Sequence, residues 1–287
     1  MWPSATVDSA MKQHEIKLDF SRRQVMTIVN VTPDSFFAGS RTPDWLDIER
    51  RVRDAVAAGA SIIDVGGYSS RPGAEEVPPE EEWRRVDLGV GAVRTLSPDL
   101  PVSVDTFRSS VALRAIRKYG KVIVNDISAG ELDPLIIEVA AKHDVPYIAM
   151  HMKGDPRTMQ SQTDYRRDIV TEVVDYFRAK VVQLSAAGIR RENILLDPGF
   201  GFAKTLEQNY ELLRGLHRLC ESGYPVLAGV SRKSMIYKLL GTTPAEALNG
   251  TTALHWECLR QGAAILRVHD TREAAEVVRM FDQYMQS

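Results

Sequence analysis

Short apolar runs rich in Val and Ile alternate along the chain with longer stretches whose apolar positions recur every three or four residues. The runs are VMTIVNV from Val25, SIIDVGG from Ser61, PVSVD from Pro101, KVIVNDI from Lys121, VPYIAMHM from Val145, NILLDPG from Asn193, PVLAGVS from Pro225 and AAILRVHD from Ala263. Their apolar character is nearly continuous, which suits parallel strands covered on both faces. The stretches between them predict helices. Trp83, Val86, Val90 and Val93 fall on one helical face. Thr243-Pro244-Ala245-Glu246 supplies an N-cap, a Pro at the first helical position and a capping-box Glu. Asp133-Pro134 and Asp270 to Glu273 read as similar starts.

Eight strands alternating with about eight helices, with no linker or repeat, predict an α/β fold, a single (β/α)8 TIM barrel. The barrel domain spans residues 21–287, and residues 1–20 read as a short N-terminal extension. An open doubly wound sheet uses the same elements, but eight evenly distributed units favour closure. The longest gap between strands, from Met152 to Arg191, includes KGDPRTMQSQTD, a loop long enough for a mobile lid.

Composition narrows the class. The chain has 287 residues, 44% hydrophobic and 26% charged, enough to bury a sizeable core. A net charge of -2 argues against general affinity for nucleic acid or an anionic membrane, so any cationic site is local. No run reaches the ~20 apolar residues of a membrane span. The N-terminus lacks a charged n-region and apolar h-region, so no signal peptide is expected. Cys220 and Cys258 lie far apart in helix-like stretches and form neither a metal nor a redox motif. Two reduced thiols and a cytoplasmic location fit that usage.

In such barrels the chemistry stands at the C-terminal ends of the strands. Those ends carry Asn30, Asp64, Asp105, Asn125 with Asp126, His151, Asp197, Ser231-Arg232-Lys233-Ser234, and Arg267 with His269. Strands 7 and 8 supply Arg232, Lys233, Arg267 and His269, and closure sets strand 1, with Asn30, beside strand 8. One side of the mouth is therefore cationic, where barrels commonly bind phosphate. Asp105, Asn125 and Asp197 gather hydrogen-bond acceptors elsewhere in the mouth. The expected substrate is bipolar, with a phosphorylated end and an end rich in N–H donors.

Each signal has a plainer counterpart. Asp64 and Asp126 also read as anchors of loop backbone. His151, between two methionines, reads as a hydrogen-bonded support, Met150 as core or pocket wall, and Arg232 as a structural ion pair. GFGFAK from Gly199 lacks the third glycine and distal acid of a dinucleotide loop, and reads as a turn presenting Phe202. No zinc spacing and no nucleophile elbow stands out.

Taken together, NVTPDSF, IIDVGGYSSRPGAEEV, SVDT, VNDIS, MHMKGDPRTMQ, LDPGFGFAK, GVSRKS and LRVHD resemble dihydropteroate synthase from about Ile16 onward. That family condenses 6-hydroxymethyl-7,8-dihydropterin pyrophosphate with p-aminobenzoate, giving 7,8-dihydropteroate and pyrophosphate in folate biosynthesis. The resemblance implies that Asp105, Asn125, Met150, Asp197 and Lys233 hold the pterin. It assigns the pyrophosphate to Asn30, Arg71, Arg267 and His269, with Mg2+ at Asn30. It sets p-aminobenzoate against Ser70, Arg71, Pro72, Phe202 and Ser234, where Ser234 also reads as a helix N-cap. Lys233, Arg267, Asp105 and His269 are then the catalytic set, and a homodimer and sulfonamide targeting are implied by the family. The second loop departs from the family's Gly-Gly-Glu-Ser-Thr-Arg-Pro: Tyr68 replaces the acid and Ser70 the threonine. A flap at Thr32 to Arg41 offers Phe36 and Phe37 to cover the aminobenzoate slot. The competing functions are a pterin-dependent methyltransferase domain, a Schiff-base lyase at Lys233 and a non-catalytic pterin-binding paralogue. SSRPG and SRKS favour the synthase over the first, and Arg232 beside Lys233 argues against the second.

Overall fold

A run such as VMTIVNV can bury both faces only if helices cover one side and other strands supply the opposite wall. The computed structural model describes residues 16, 18–32, 45–68, 76–155, 158 and 161–286. Among them the strands are β1 (Gln24–Asn30), β2 (Ile62–Gly66), β3 (Val102–Asp105), β4 (Ile123–Asp126), β5 (Tyr147–Met150), β6 (Ile194–Asp197), β7 (Leu227–Ala228) and β8 (Ile265–Val268). The helices are α1 (Trp45–Ala57), α2 (Pro79–Leu96), α3 (Ser109–Tyr119), α4 (Leu135–His143), α5 (Ile169–Ala186), α6 (Leu206–Arg214), α7 (His217–Cys220), α8 (Ser234–Leu240), α9 (Leu248–Arg260) and α10 (Thr271–Gln286).

The strands lie in the order β6-β5-β4-β3-β2-β1-β8-β7, all parallel, and a parallel bridge from Leu196 to Val226 closes the ring between β6 and β7. The expected barrel is present, and β1 pairs with both β2 and β8.

Ten helices among the described residues exceed the expected eight, because two crossovers are broken. Gly215 ends α6 where α5 passes so close that an added Cβ would lie 2.6 Å from Val170. Gly241 ends α8 in the left-handed region, at φ 62°. Thr243 and Glu246 do form the expected capping box, but on a 3-10 turn over Pro244–Glu246, and α9 starts only at Leu248.

Side-chain alternation sorts each strand into two faces. Met26, Ile62, Ile123, Ile148, Leu195, Leu227 and Ile265 form the barrel floor, joined from below by Ile16, Leu18 and Phe20. The opposite set, including Val29, Ile63, Val104, Val124, Ala149, Leu196 and Leu266, packs under the helices. Two residues beyond each floor position the same inward face returns at the mouth, where Asp64, Asn125, Met150, Asp197 and Arg267 stand. Floor and mouth-lining residues thus share one parity. Among the described residues no helix is long and apolar enough to cross a membrane.

Candidate active site

The mouth is organised around one buried cation. Arg267 Nε donates to Asp64 Oδ2 at 2.8 Å, and Nη2 donates to Asp105 Oδ2 at 2.6 Å. Among the described residues these contacts use Nε and Nη2, which makes the Nη1 donors the ones suited to an anion. Asp64 also accepts from Asn125 Nδ2 at 3.3 Å, which turns the Asn125 oxygen into the available acceptor. Burial alone would lower the Arg267 pKa, but Asp64 and Asp105 outweigh it and hold the guanidinium charged. Burial pushes Asp105 up, against Arg267 and with added repulsion from Asp64. The two poles expected from the sequence are therefore in contact, with Arg267 bridging them.

Across the mouth stand Asp197 and Lys233. Asp197 Oδ1 accepts from the Gly199 backbone N–H at 2.8 Å. Burial raises its pKa, and Lys233 draws it back. Burial likewise pushes Lys233 down to about 8, with Asp197 opposing. Lys233 Nζ donates to the Phe200 carbonyl and lies 4.5 Å from the Phe202 ring centroid. Ile127, Met150, Met152 and Ala203 make an apolar cluster with Phe107 and Phe202. A flat heterocycle with a polar edge matches such walls.

Towards β1 and β8 the groups suit an anion. The Ser231 hydroxyl accepts the His269 backbone N–H and sits 3.1 Å from His269 Nδ1, to which it can donate its own proton. These two contacts with Ser231 fix the His269 ring at the end of β8. Arg232 is turned away, its guanidinium paired twice with Asp270 at 2.8 Å. Asn30 lies at the rim beside Gly66, where an added Cβ would sit 3.1 Å from Asn30 Oδ1. Among the described residues no cluster of three His, Cys, Asp or Glu is poised for a metal. A single hard oxygen still fits Mg2+, which is commonly held by substrate phosphates and waters with one or two protein ligands.

The expected groups Asn30, Asp105, Asn125, Met150, Asp197, Phe202, Lys233, Arg267 and His269 all lie at strand ends or in the loops that follow. Ser70, Arg71 and Pro72 lie outside the described residues, as do Phe36 and Phe37. Ser234 is corrected in one respect: it is the first residue of α8, and no side chain caps that end, so its hydroxyl does not serve as the N-cap. Asp126 is the loop anchor, accepting from Ser128 N and Oγ, Gly130 N and Tyr147 Oη at 2.6–2.8 Å. Asp64 is not, because it holds Arg267 and Asn125. Alternation carries the distinction, since Asp64 shares the parity of Ile62 while Asp126 is one residue out of step with Asn125.

Sequence reading also missed Lys204, a buried lysine whose Nζ lies 3.0 Å from His151 Nδ1. Tyr68 packs edge-on against Phe107 at 5.3 Å, and Arg108 covers both rings while pairing with the buried Glu82. The acid expected at position 68 is thus replaced by an aromatic contact.

The family profile described as pterin binding enzyme matches residues 26–269. A dihydropteroate synthase from Synechocystis sp. is 44% identical over 262 residues, covering 91% of this chain and 90% of its own. Among solved structures, a Xanthomonas albilineans dihydropteroate synthase with 4-aminobenzoic acid aligns with TM-score 0.86 at 37% identity, covering 94% of this chain and 96% of that one. Another from the same organism, in complex with 7,8-dihydropteroate, aligns with TM-score 0.83 at 35% identity over 94% and 96%.

Proposed function

The chain belongs to the dihydropteroate synthase family of pterin-binding enzymes, and from that premise we propose how its mouth divides the work. It is a transferase of folate synthesis that joins 6-hydroxymethyl-7,8-dihydropterin pyrophosphate to p-aminobenzoate, releasing pyrophosphate. The observation that carries the site assignment is the Arg267 guanidinium held between Asp64 and Asp105, with Asn125 on the same Asp64 carboxylate.

The pterin's aminopyrimidinone edge offers adjacent N–H donors, which Asp197 accepts as charge-assisted bonds. The Asn125 oxygen and Asp105 take the remaining donors, Lys233 donates to ring carbonyl or nitrogen, and Met150 packs on the ring. An unpaired group in this dry slot is costly, so the slot selects for the pterin edge. The Nη1 donors of Arg267 and the His269 ring face the diphosphate, with Arg71 assigned to the same pole. Asn30 would hold Mg2+ together with the diphosphate oxygens, and the metal would neutralise charge on the leaving group.

The reaction proceeds by ionisation and capture. The exocyclic C–O bond breaks, and its electron pair departs with the diphosphate towards Arg267 and His269. The dihydropterin cation is stabilised by Asp105. The aniline lone pair of p-aminobenzoate then forms the C–N bond, and the nitrogen loses its proton to solvent. A neutral aniline is already nucleophilic, so no strong base is required. Preorganised charges of this kind are typically worth ~10²–10³ in rate each. Phe202 and Ser234 are assigned to the aminobenzoate side, to which the family resemblance adds Ser70, Arg71 and Pro72.

A homodimer belongs to the same reading. Met280 and Tyr284 of α10 and Leu239 and Leu240 of α8 are exposed apolar side chains available for it. A monomeric mass in sedimentation would remove it. A cytoplasmic setting is supported by two free cysteines, one of them buried. The functional test is mass-spectrometric detection of 7,8-dihydropteroate from the two substrates. Tight pterin binding with no product would contradict the reading and leave a pterin-binding protein.

A further inference from the structure

The loop between β6 and α6, Pro198–Thr205, makes a wall of the mouth, yet Gly199, Gly201 and Ala203 all take positive φ, at 68°, 81° and 51°. Such a backbone holds its shape only where its polar groups are tied down. Its carbonyls are claimed one after another. Lys233 takes the Phe200 oxygen, and Tyr165 Oη donates to the Ala203 oxygen at 2.9 Å. Lys204 Nζ donates to the Gly199 oxygen at 2.9 Å and the Phe202 oxygen at 3.0 Å. Its third partner is His151 Nδ1 at 3.0 Å, in the loop after β5. An ammonium has three donors, and here all three are used.

His151 is itself fixed. Its ring meets Tyr176 edge-on at 4.8 Å, and its backbone N–H donates to the Asp197 carbonyl at 2.9 Å. An added Cβ on Gly199 would lie 2.1 Å from the His151 carbonyl oxygen, so the two loops touch along their backbones. Lys204 therefore ties the loop to its neighbour from behind, while Lys233 ties it from the substrate side.

These two ties differ once substrate arrives. Under the pterin assignment above, on which the inference rests, Lys233 shares its ammonium between the Phe200 carbonyl and the pterin ring. Lys204 keeps all its donors on the Gly199 and Phe202 carbonyls and His151, whatever the substrate does. We propose that Lys204 is a positioning residue that holds Gly199–Phe202 in place while Lys233 is engaged, and so fixes Phe202 as a wall of the aminobenzoate slot. It touches neither substrate. Burial pushes Lys204 down to about 7, with Asp197 raising it and Lys233 lowering it further. Burial and Lys204 likewise hold His151 well below its ordinary value, as a neutral acceptor. The tie is thus one buried amine held by two backbone carbonyls and a ring nitrogen.

Steady-state kinetics of Lys204→Met test this, since methionine keeps the bulk and loses every donor. The expected result is at least a tenfold rise in KM for p-aminobenzoate, with pterin pyrophosphate affinity changed less than threefold. An unchanged aminobenzoate KM, or equal losses for both substrates, would overturn the proposal. Should that variant fail to fold, hydrogen exchange of the unaltered protein decides. Amides of residues 199–204 should keep their protection when pterin pyrophosphate binds, and a loss of protection would overturn it. A chain that bound no pterin at all would refute the pterin assignment instead, a result distinct from either outcome.

Discussion

Arg267 Nη2 lies 2.6 Å from Asp105 Oδ2, so the guanidinium assigned to the leaving group and the carboxylate assigned to the pterin cation share one ion pair. Asp64 completes it from the other side, 2.6 Å from the same nitrogen. Charge separates during the reaction between two groups whose positions depend on each other.

Residues that act as a unit give non-additive losses. Arg267→Met and Asp105→Asn should each lower kcat by roughly 10²–10³, and the double variant by little more than the worse single one. Asp64→Asn, which touches no substrate, should cost less than either. Multiplying losses in the double variant would show that the two residues act independently.

Lys233 loses its charge in the free protein as pH rises through about 8. Pterin affinity that depends on this ammonium should fall in that window. Stability should move the other way. The folded pKa lies below the ordinary lysine value, so the folded chain binds fewer protons than the unfolded chain, and the lysine's contribution grows as pH rises from about 8. Lys204, pushed down to about 7, adds the same sign. A falling kcat/KM with a rising urea midpoint between about pH 7.5 and 8.5 is the expected pair. Parallel loss of both would mean alkaline unfolding.

Asp126 provides the contrast. Its carboxylate satisfies three donors in the loop after β4 and a fourth, the Tyr147 hydroxyl, on β5. Asp126→Ala should cost about 1–3 kcal/mol of stability by leaving those donors unpaired. Substrate affinities in the folded fraction should be unchanged, by denaturant titration alongside calorimetry.

Removal of divalent metal should act through the diphosphate. Under the assignment of Asn30 as the single protein ligand proposed above, Mg2+ would bind firmly only with substrate. Chelation should abolish turnover and weaken pterin pyrophosphate, while binding of the hydroxymethyl pterin lacking phosphate stays the same. Equal weakening of both would place the metal elsewhere.

Much of this was legible in the sequence. The eight apolar runs became the eight strands because continuous burial on two faces leaves few other arrangements. The polar residue closing nearly every run marked the mouth. Alternation also held information that strand-end position alone did not, since it separates inward Asp64 from outward Asp126. Other features depend on three-dimensional closure. The contact of Arg267 with Asp105 joins residues 162 positions apart, and no local pattern encodes it. GFGFAK reads as a turn presenting Phe202 and nothing local marks Lys204, yet the left-handed turns at Gly199 and Gly201 fold it inward onto His151. The capping box at Thr243 was correct as chemistry and misplaced as architecture, because Gly241 and Pro244 divert the chain before α9.

The most direct test of the account is continuous measurement of pyrophosphate release with pterin pyrophosphate and p-aminobenzoate, compared with Lys233→Ala and Arg267→Ala. The account predicts sustained release requiring both substrates, nearly abolished in either variant. Pterin binding without release, or near-normal release from either variant, would contradict it.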